Sequence, residues 1–353
     1  MRRDLMMPGV VRAFGADRAG AERAGMWFKA ALLGEKAAAS WLEAKAPAHH
    51  RALNEGTNTA GGYLVPAEVA DRVFAILPLV GVFYGAATVR PMTRDRMSLP
   101  KRSSGFSLSF TTEGVAGAEG EAAFGAVNFN AQAAAGIGRV SVEMFGDAAA
   151  LGEFLVMEFA FALGDLMDRV GFNGTGSAAD GGMTGITTRI NDGTHAASLK
   201  TAASNHDEFA ELDAADLSDV MSILPEAHWE NAAWYCSGFA VAKTFARLGM
   251  GAGGTVMTVN GPRPMLHYLG FPIKVTGRMP GSGDQSGVPM LLFGDLSMAA
   301  SVGERRRLVV SLSKERYWGE RQIAFMVDPR FDIVVHDLGD DSAAGPVVAL
   351  LGN

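Results

Sequence analysis

The stretch that decides the fold is Gly61-Gly62-Tyr63-Leu64-Val65-Pro66, which is followed further along the chain by Thr111-Thr112-Glu113-Gly114. Its paired glycines open a short extended segment, and Pro66 closes that segment. Residues 69–77 then place apolar side chains at helical spacing, up to Pro78. The sequence therefore predicts an extended segment that leads directly into a helix.

Further segments follow in a characteristic order: Arg139-Val140-Ser141-Val142-Glu143-Met144-Phe145-Gly146-Asp147, Phe172-Asn173-Gly174-Thr175-Gly176, Leu269-Gly270-Phe271-Pro272-Ile273 and Phe293-Gly294-Asp295-Leu296. In their order and separations over residues 53–335, they resemble the major capsid proteins of tailed bacteriophages. That family has the Hong Kong 97-type fold. The resemblance implies an α+β shell subunit that functions by assembly and is not an enzyme.

The composition is that of a folded protein without disulfides. Hydrophobic residues make up 48% of the 353 residues, which is ample for a core. The 44 glycines follow no period, so they predict turns and exclude a collagen-like chain. Cys236 is the only cysteine, as expected of a protein that folds in a reducing cytoplasm. Since no window reaches the ~18 apolar residues of a membrane span, we predict no membrane association.

The charge is unevenly distributed. The formal net charge is −7, but residues 1–51 contain nine Lys or Arg and five acidic residues, so they carry +4 and the remainder carries −11. A basic segment on an acidic body can contact nucleic acid or its own acidic neighbours. It is too dilute for a dedicated DNA-binding module. We therefore expect only weak contact, without sequence specificity, with packaged double-stranded DNA.

The N-terminal region is predicted to hold one amphipathic helix and a linker. Residues 20–44 place apolar side chains at helical spacing: Met26, Ala30, Leu33, Ala37 and Trp41. Pro47 is predicted to end this helix, and the polar residues 48–59 to form a linker or flexible arm.

Residues 88–137, the extended loop, read as paired strands that lack a core. Apolar residues alternate with a period of two, which indicates strands. An isolated hairpin is only marginally stable in water, so this segment implies a partner. We expect its apolar contacts with a neighbouring subunit to come from Phe106, Phe110, Val127 and Phe129.

The strongest helix prediction covers residues 147–170, and we call this element the spine helix. Its apolar face consists of Leu155, Phe159, Leu163, Leu166 and Val170. Burying each large side chain contributes roughly 1.5–3 kcal/mol, so this face is expected to anchor the core. Gly171 and Asn173-Gly174 are predicted to end the helix.

The C-terminal half alternates short helices and strands. Asp213 and Asp216 have the spacing of a capping box at a helix start. A strand is predicted at 233–237 and a helix at 239–248, and the last strands are expected at Arg307–Ser313, Arg321–Val327 and Phe331–His336.

No pattern in the chain points to catalysis, a metal or a cofactor. Residues 249–254 match a GxGxxG pattern, but a predicted helix precedes it and a strand follows, which is the reverse of a phosphate-binding loop. The seven histidines show no zinc-site spacing, and no nucleophile lies beside a base in the sequence. A hydrolase with an unrecognised site is the alternative from another class.

The resemblance implies a division of the chain into five parts. These are a basic, helical N-terminal segment 1–52, an N-terminal arm 53–66, the extended loop 88–137, a peripheral domain formed by 67–87, 138–205 and 300–353, and an axial domain 206–299. Many relatives carry a longer scaffolding segment that a protease removes. Residues 1–52 are therefore either an abbreviated scaffold or propeptide, or the scaffold is a separate protein.

The resemblance also implies partners and assembly contacts. Subunits would form pentamers and hexamers of an icosahedral shell around double-stranded DNA, in the bacterial host cytoplasm, with scaffold, portal and decoration proteins as further partners. Glu113 is expected to dock the extended loop, and Arg305, Arg306 and Arg307 form either a solvated run or a subunit contact. A gene-transfer-agent head and an encapsulin-like nanocompartment shell remain as alternatives.

Overall fold

The chain folds into two β-sheets, a separate pair of strands and a group of helices around one long helix. The computed structural model describes residues 14, 17–55, 62–102, 110, 124–141, 148–251, 257–258, 265–313 and 317–353. Its α-helices are Arg18–Phe28 (α1), Lys36–Lys45 (α2), Pro47–Glu55 (α3), Ala67–Val80 (α4), Val82–Ala86 (α5), Ala148–Asn173 (α6), Ile186–Ile190 (α7), Ala214–Ile223 (α8), Gly238–Ala240 (α9), Ala246–Gly251 (α10) and Leu296–Ala299 (α11).

The described strands fall into three groups, and no strand pairs with a strand of another group. In chain order they are Gly62–Leu64 (β1), Thr88–Pro91 (β2), Arg96–Arg102 (β3), Phe124–Asn130 (β4), Gln132–Ala133 (β5), Gly136–Ser141 (β6), Leu199–Thr201 (β7), Ala233–Cys236 (β8), Met257–Thr258 (β9), Met265–Tyr268 (β10), Phe271–Val275 (β11), Pro289–Gly294 (β12), Ala300–Ser313 (β13), Gln322–Val335 (β14) and Val347–Leu351 (β15).

The N-terminal region contains three helices, where the sequence predicted one helix and a linker. α1 continues as a π-helical turn, Lys29–Leu33, and the chain then breaks at Gly34, whose φ of 67° is in the left-handed region. The break resets the helical phase, so Trp27 and Phe28 are fully buried while Trp41 is only half-buried. The helical segment does end before Pro47 as predicted, since α2 stops at Lys45, and Pro47 then begins α3, as its fixed φ allows at a first helical position.

The spine helix is α6, and at 26 residues it extends about 39 Å. It continues past Gly171, where the ring of Phe83 packs so closely that an added Cβ would lie 2.5 Å from it. The predicted stop at Gly171 is wrong, whereas the predicted stop at Asn173-Gly174 is confirmed, because the helix ends at Asn173. No helix within the described ranges has both the length and the apolar character needed to cross a bilayer.

Six strands form the first sheet, in which the two longest strands, β13 and β14, pair along their lengths. β1 and β6 flank them antiparallel, and β2 runs parallel to β13. The prediction of three terminal strands is wrong, because Pro329 does not interrupt β14. It lies where the register shifts between Arg305 and Val309 of the partner strand, and such a bulge accommodates a residue that cannot donate a hydrogen bond.

The second sheet has seven strands in the order β7-β15-β12-β8-β11-β10-β9. Its alternating side chains face two different cores. Tyr235 and Ala349 belong to the core that also contains the spine helix, whereas Trp234 and Val348 belong to the second core. Because β7 and β15 pair into this sheet, the boundaries at 205/206 and 299/300 divide one hydrogen-bonded unit.

Candidate functional site

The extended loop is held at its base, and its described strands β3 and β4 pair with each other. β3 and β4 are antiparallel from Arg96 opposite Asn130 to Arg102 opposite Phe124. Among the described strands, neither pairs with a third one. A two-stranded ribbon of this kind gains little stability alone, and no other described strand pairs with the outer edges of β3 and β4.

Phe129 anchors the base of the extended loop inside its own subunit. Its side chain is 2% exposed, in a small cluster with Met92 and Ala131. Gly303 of β13 leaves the necessary space, since a Cβ there would lie 2.8 Å from the Phe129 ring. The expectation that Phe129 contacts a neighbouring subunit is therefore wrong. Its side chain fills the space beside Gly303, which forms only when β13 packs against the base of the loop.

Arg305 also makes its contact within the subunit. Its guanidinium donates to Asp95, in the turn between β2 and β3, and Arg330 lies 3.1 Å from the other oxygen of the same carboxylate. The hydrogen bond from Arg305 is the main reason that the pKa of Asp95 lies below its ordinary value. The sequence suggested that Arg305 is either solvated or in contact with another subunit. The structure instead pairs it with Asp95 of its own subunit. The side chains of Arg306 and Arg307 lie outside the described part of the structure.

Two further polar contacts fix the base of the loop to the first sheet. The backbone N–H of Asn130 donates to the buried carboxylate of Asp332 at 2.6 Å, and burial raises the pKa of that carboxyl. Lys101 donates to the carbonyl of His336 and lies 3.7 Å from Asp337. The loop thus leaves the body in a defined direction.

The structure describes two of the other four residues that were predicted as contacts of the loop. Phe110 is fully exposed, and Val127 is half-buried against the Phe129 cluster. Phe106 and Glu113 lie outside the described residues. Their expected roles in assembly therefore stay predictions.

An apolar cavity of about 270 Å³ opens beside β6, between the spine helix and the first sheet. Leu166 of the spine helix, Phe325 of β14 and Ile137 of β6 line it. Leu166 is half-buried and Ile137 is 58% exposed, whereas the other four residues of the predicted spine face are buried. Among the described strands β6 pairs only with β14, so its outer edge is open next to this cavity.

A second exposed apolar feature was not anticipated from the sequence. Leu269 and Gly270 form the two-residue turn between β10 and β11, with φ values of 49° and 88°. Leu269 is 64% exposed, and a left-handed conformation is costly for a side chain of this type. The available signal was the Leu-Gly pair between two short strands, at a position where Asn-Gly is usual.

The polar groups that resemble chemical sites have structural explanations. His206, Asp213 and Asp216 lie close together, but Asp213 and Asp216 form the predicted capping box of α8, which is confirmed. Cys236 is fully buried in β8, and burial raises the pKa of its thiol to about 12, which suppresses the reactive thiolate. Asp168 of the spine helix accepts hydrogen bonds from the first N–H groups of α5.

The fold is that of subunits that build protein shells. A capsid of a native GTA particle has a TM-score of 0.56 and 15% identity over 76% of this chain and 88% of that one. A structure from Mycobacterium phage Bobi has 0.51 and 18% over 77% and 90%, and one from Gordonia phage Cozz has 0.50 and 16% over 79% and 86%. No curated protein sequence gives a significant match.

The sequence profile of the phage capsid family matches residues 61–338, which is most of the chain. The protein belongs to the phage capsid family. The predicted α+β fold of the Hong Kong 97 type and the predicted role as a major capsid protein are thereby confirmed.

Proposed function

We propose that this subunit assembles into pentamers and hexamers that close an icosahedral shell around double-stranded DNA. The observation that carries the proposal is the extended loop, whose strands β3 and β4 have no sheet partner among the described strands of their own subunit. Membership of the phage capsid family indicates that the assembly is a shell. The unpaired strands of the loop give a reason why one subunit is less stable alone than beside a second copy. Isolated ribbons gain stability when a neighbour pairs with them or covers them.

The open edge of β6 and its apolar cavity are the proposed docking surface for the loop of a neighbouring copy. The loop offers the exposed Phe110, and the surface offers the exposed Ile137 above a cavity lined by Leu166. Strand addition would satisfy backbone groups at the edge, while the cavity would accept an apolar side chain. Repetition of this contact around each ring would make weak individual contacts sufficient for a closed shell.

Electron microscopy of the purified recombinant protein, alone and after co-expression with its scaffold, tests the assembly proposal. We expect rings or closed shells in at least one sample. A compact 37.1 kDa monomer in both would contradict the proposal. Particles that enclose nuclease-resistant DNA favour the phage or gene-transfer-agent alternatives, whereas particles that enclose protein favour a nanocompartment.

A pair of variants tests the docking surface separately. Ile137→Glu places a charge at the edge of β6, and Leu79→Glu places one on α4 at nearly the same exposure, 57% against 58%. We expect the first change to prevent closed shells and the second to leave them intact. Normal shell yield from Ile137→Glu would show that the loop docks elsewhere.

A further inference from the structure

The three N-terminal helices lie outside the family match and are nevertheless part of the main core. The matched residues begin at 61, after the end of α3. Trp27, Phe28 and Leu42 have no exposed surface in the subunit, and all three belong to the core that contains the spine helix. We call Arg18–Glu55 the N-terminal layer. Such burial is unusual for a segment that only tethers or guides an assembly.

Backbone-to-backbone packing joins α1 to the spine helix. At Gly152 of the spine helix, a Cβ would lie 2.7 Å from the backbone nitrogen of Gly25 and 3.2 Å from the Cβ of Ala24. Small residues on both helices therefore permit an approach that larger ones would block. Next to this crossing, the rings of Phe28 and Phe159 meet edge to face at 6.0 Å. The surfaces of α1 and the spine helix are complementary in shape at this contact, which is typical of a permanent interior interface.

A cluster of charges joins the N-terminal layer to α4. Arg23 donates to both carboxylate oxygens of Glu68, at 2.5 and 3.3 Å, and this pairing raises the pKa of Arg23. His49 of α3 is 4% exposed, with its Nε2 3.5 Å from Glu68. Asp17 lies 3.8 Å from Arg72 at the rim of the same cluster. Removing the layer would leave Glu68 without these partners and would uncover the apolar face of the spine helix.

We propose that the N-terminal layer stays in the assembled shell as a permanent part of the subunit wall, and is not a scaffolding segment that maturation removes. The inference rests on the proposed function as a shell subunit. A removable scaffold must leave behind a surface that water can cover, whereas here the surface beneath would be an apolar groove. Of the two readings of residues 1–52, the packing favours retention for the described part, from residue 18 onward.

A cleavable chain tests whether the layer is held without its covalent link. A specific protease site is inserted between Glu55 and Gly62, and the folded full-length chain is cut and passed through a size-exclusion column in high salt. We expect the N-terminal fragment to co-elute with the body. A fragment that separates from a folded body would overturn the proposal, whether or not that body forms shells.

Matched tryptophan variants show whether the aromatic contacts hold the fragment. Trp27 is fully buried, whereas Trp41 is half-buried and has the Lys45 ammonium 5.3 Å from its ring centre. After cutting, we expect Trp27→Ala to release the fragment at a lower denaturant concentration than the unsubstituted chain, and Trp41→Ala to behave like the unsubstituted chain. If the unsubstituted chain and both variants release the fragment at the same denaturant concentration, the buried core does not anchor it.

The mass of subunits from particles produced in the natural host is the second measurement. We expect a mass that includes residues 18–55, and a subunit that begins after Glu55 would overturn the proposal. Electron microscopy scores shell formation independently. A fragment that stays bound after cutting, together with an uncut chain that never forms shells, would contradict the proposed function alone.

Discussion

The N-terminal layer and the extended loop both extend from the same two-sheet body, but they reach stability by opposite routes. The layer inserts Trp27 and Phe28 into its own subunit's core, and charged pairs close its rim. The extended loop buries Phe129 in a small cluster with Met92 and Ala131, and β3 and β4 join no sheet among the described strands. The difference supports the proposal that the loop, unlike the layer, requires a second copy for its stability.

The largest expected effect compares one phenylalanine from each region. Phe28→Ala removes a side chain from the main core and should lower the free energy of unfolding by about 3–5 kcal/mol. Phe129→Ala affects a small cluster at the loop base and should cost less, while increasing proteolysis within residues 96–130. Denaturant titration with parallel limited proteolysis measures both. Equal losses would mean that the loop is as integral to the subunit as the layer.

The close helix crossing provides the second test. Gly152→Ala should force α1 away from the spine helix and cost about 1–3 kcal/mol, offset in part by the ~1 kcal/mol that alanine gains over glycine in a helix. Gly136→Ala is the control, because an added Cβ there meets no atom within 4 Å. Thermal unfolding of both variants measures the difference. If Gly152→Ala and Gly136→Ala unfold at the same temperature, α1 and the spine helix pack less tightly than the geometry indicates.

The third prediction concerns acid. Burial lowers the pKa of His49 below its ordinary value of 6.5, with opposing influences from Glu68, which raises it, and Arg23, which lowers it. The unfolded chain then binds more protons than the folded one near pH 6, so the free energy of unfolding should fall as the pH drops through 6.5. His49→Gln should reduce this slope. An unchanged slope would assign the acid sensitivity to other groups.

The smallest effect is expected at the loop's ion pairs. Arg305 and Arg330 share Asp95, whose carboxylate is exposed to solvent, and exposed pairs of this kind contribute little. Arg305→Ala should leave the unfolding midpoint of the isolated subunit nearly unchanged. Its expected consequence is faster proteolysis of the loop at low salt, with the difference lost at high salt. A large drop in the midpoint would show that Asp95 organises the sheet as well as the loop.

The elements that the sequence predicted well are those with local signals. The spine helix follows from its apolar period, and the capping box of α8 follows from Asp213 and Asp216. Errors arose where distant contacts override a local signal. The spine helix continues through Gly171, whose lack of a side chain makes room for the Phe83 ring, and β14 continues through Pro329 at the bulge.

The candidate site was less accessible to sequence reasoning than the fold. The expectation that the extended loop needs a partner follows from its composition, because a hairpin with too few large apolar residues cannot build its own core. Which of its residues are free for that partner is not visible. Phe129 has the same strand periodicity as an exposed contact, and only the gap above Gly303 turns it inward. The strained turn at Leu269 likewise becomes apparent only from its backbone angles.

By itself, the sequence determined the class of fold, the family resemblance and the spine helix, since these follow from periodicity, order and composition. Only the tertiary structure decided that the N-terminal segment is a buried layer, that one sheet separates two cores, and that Arg305 pairs within its own subunit. The physical reason is the same in each case. Burial depends on contacts between segments that are distant in the chain, and a local sequence pattern does not specify those contacts.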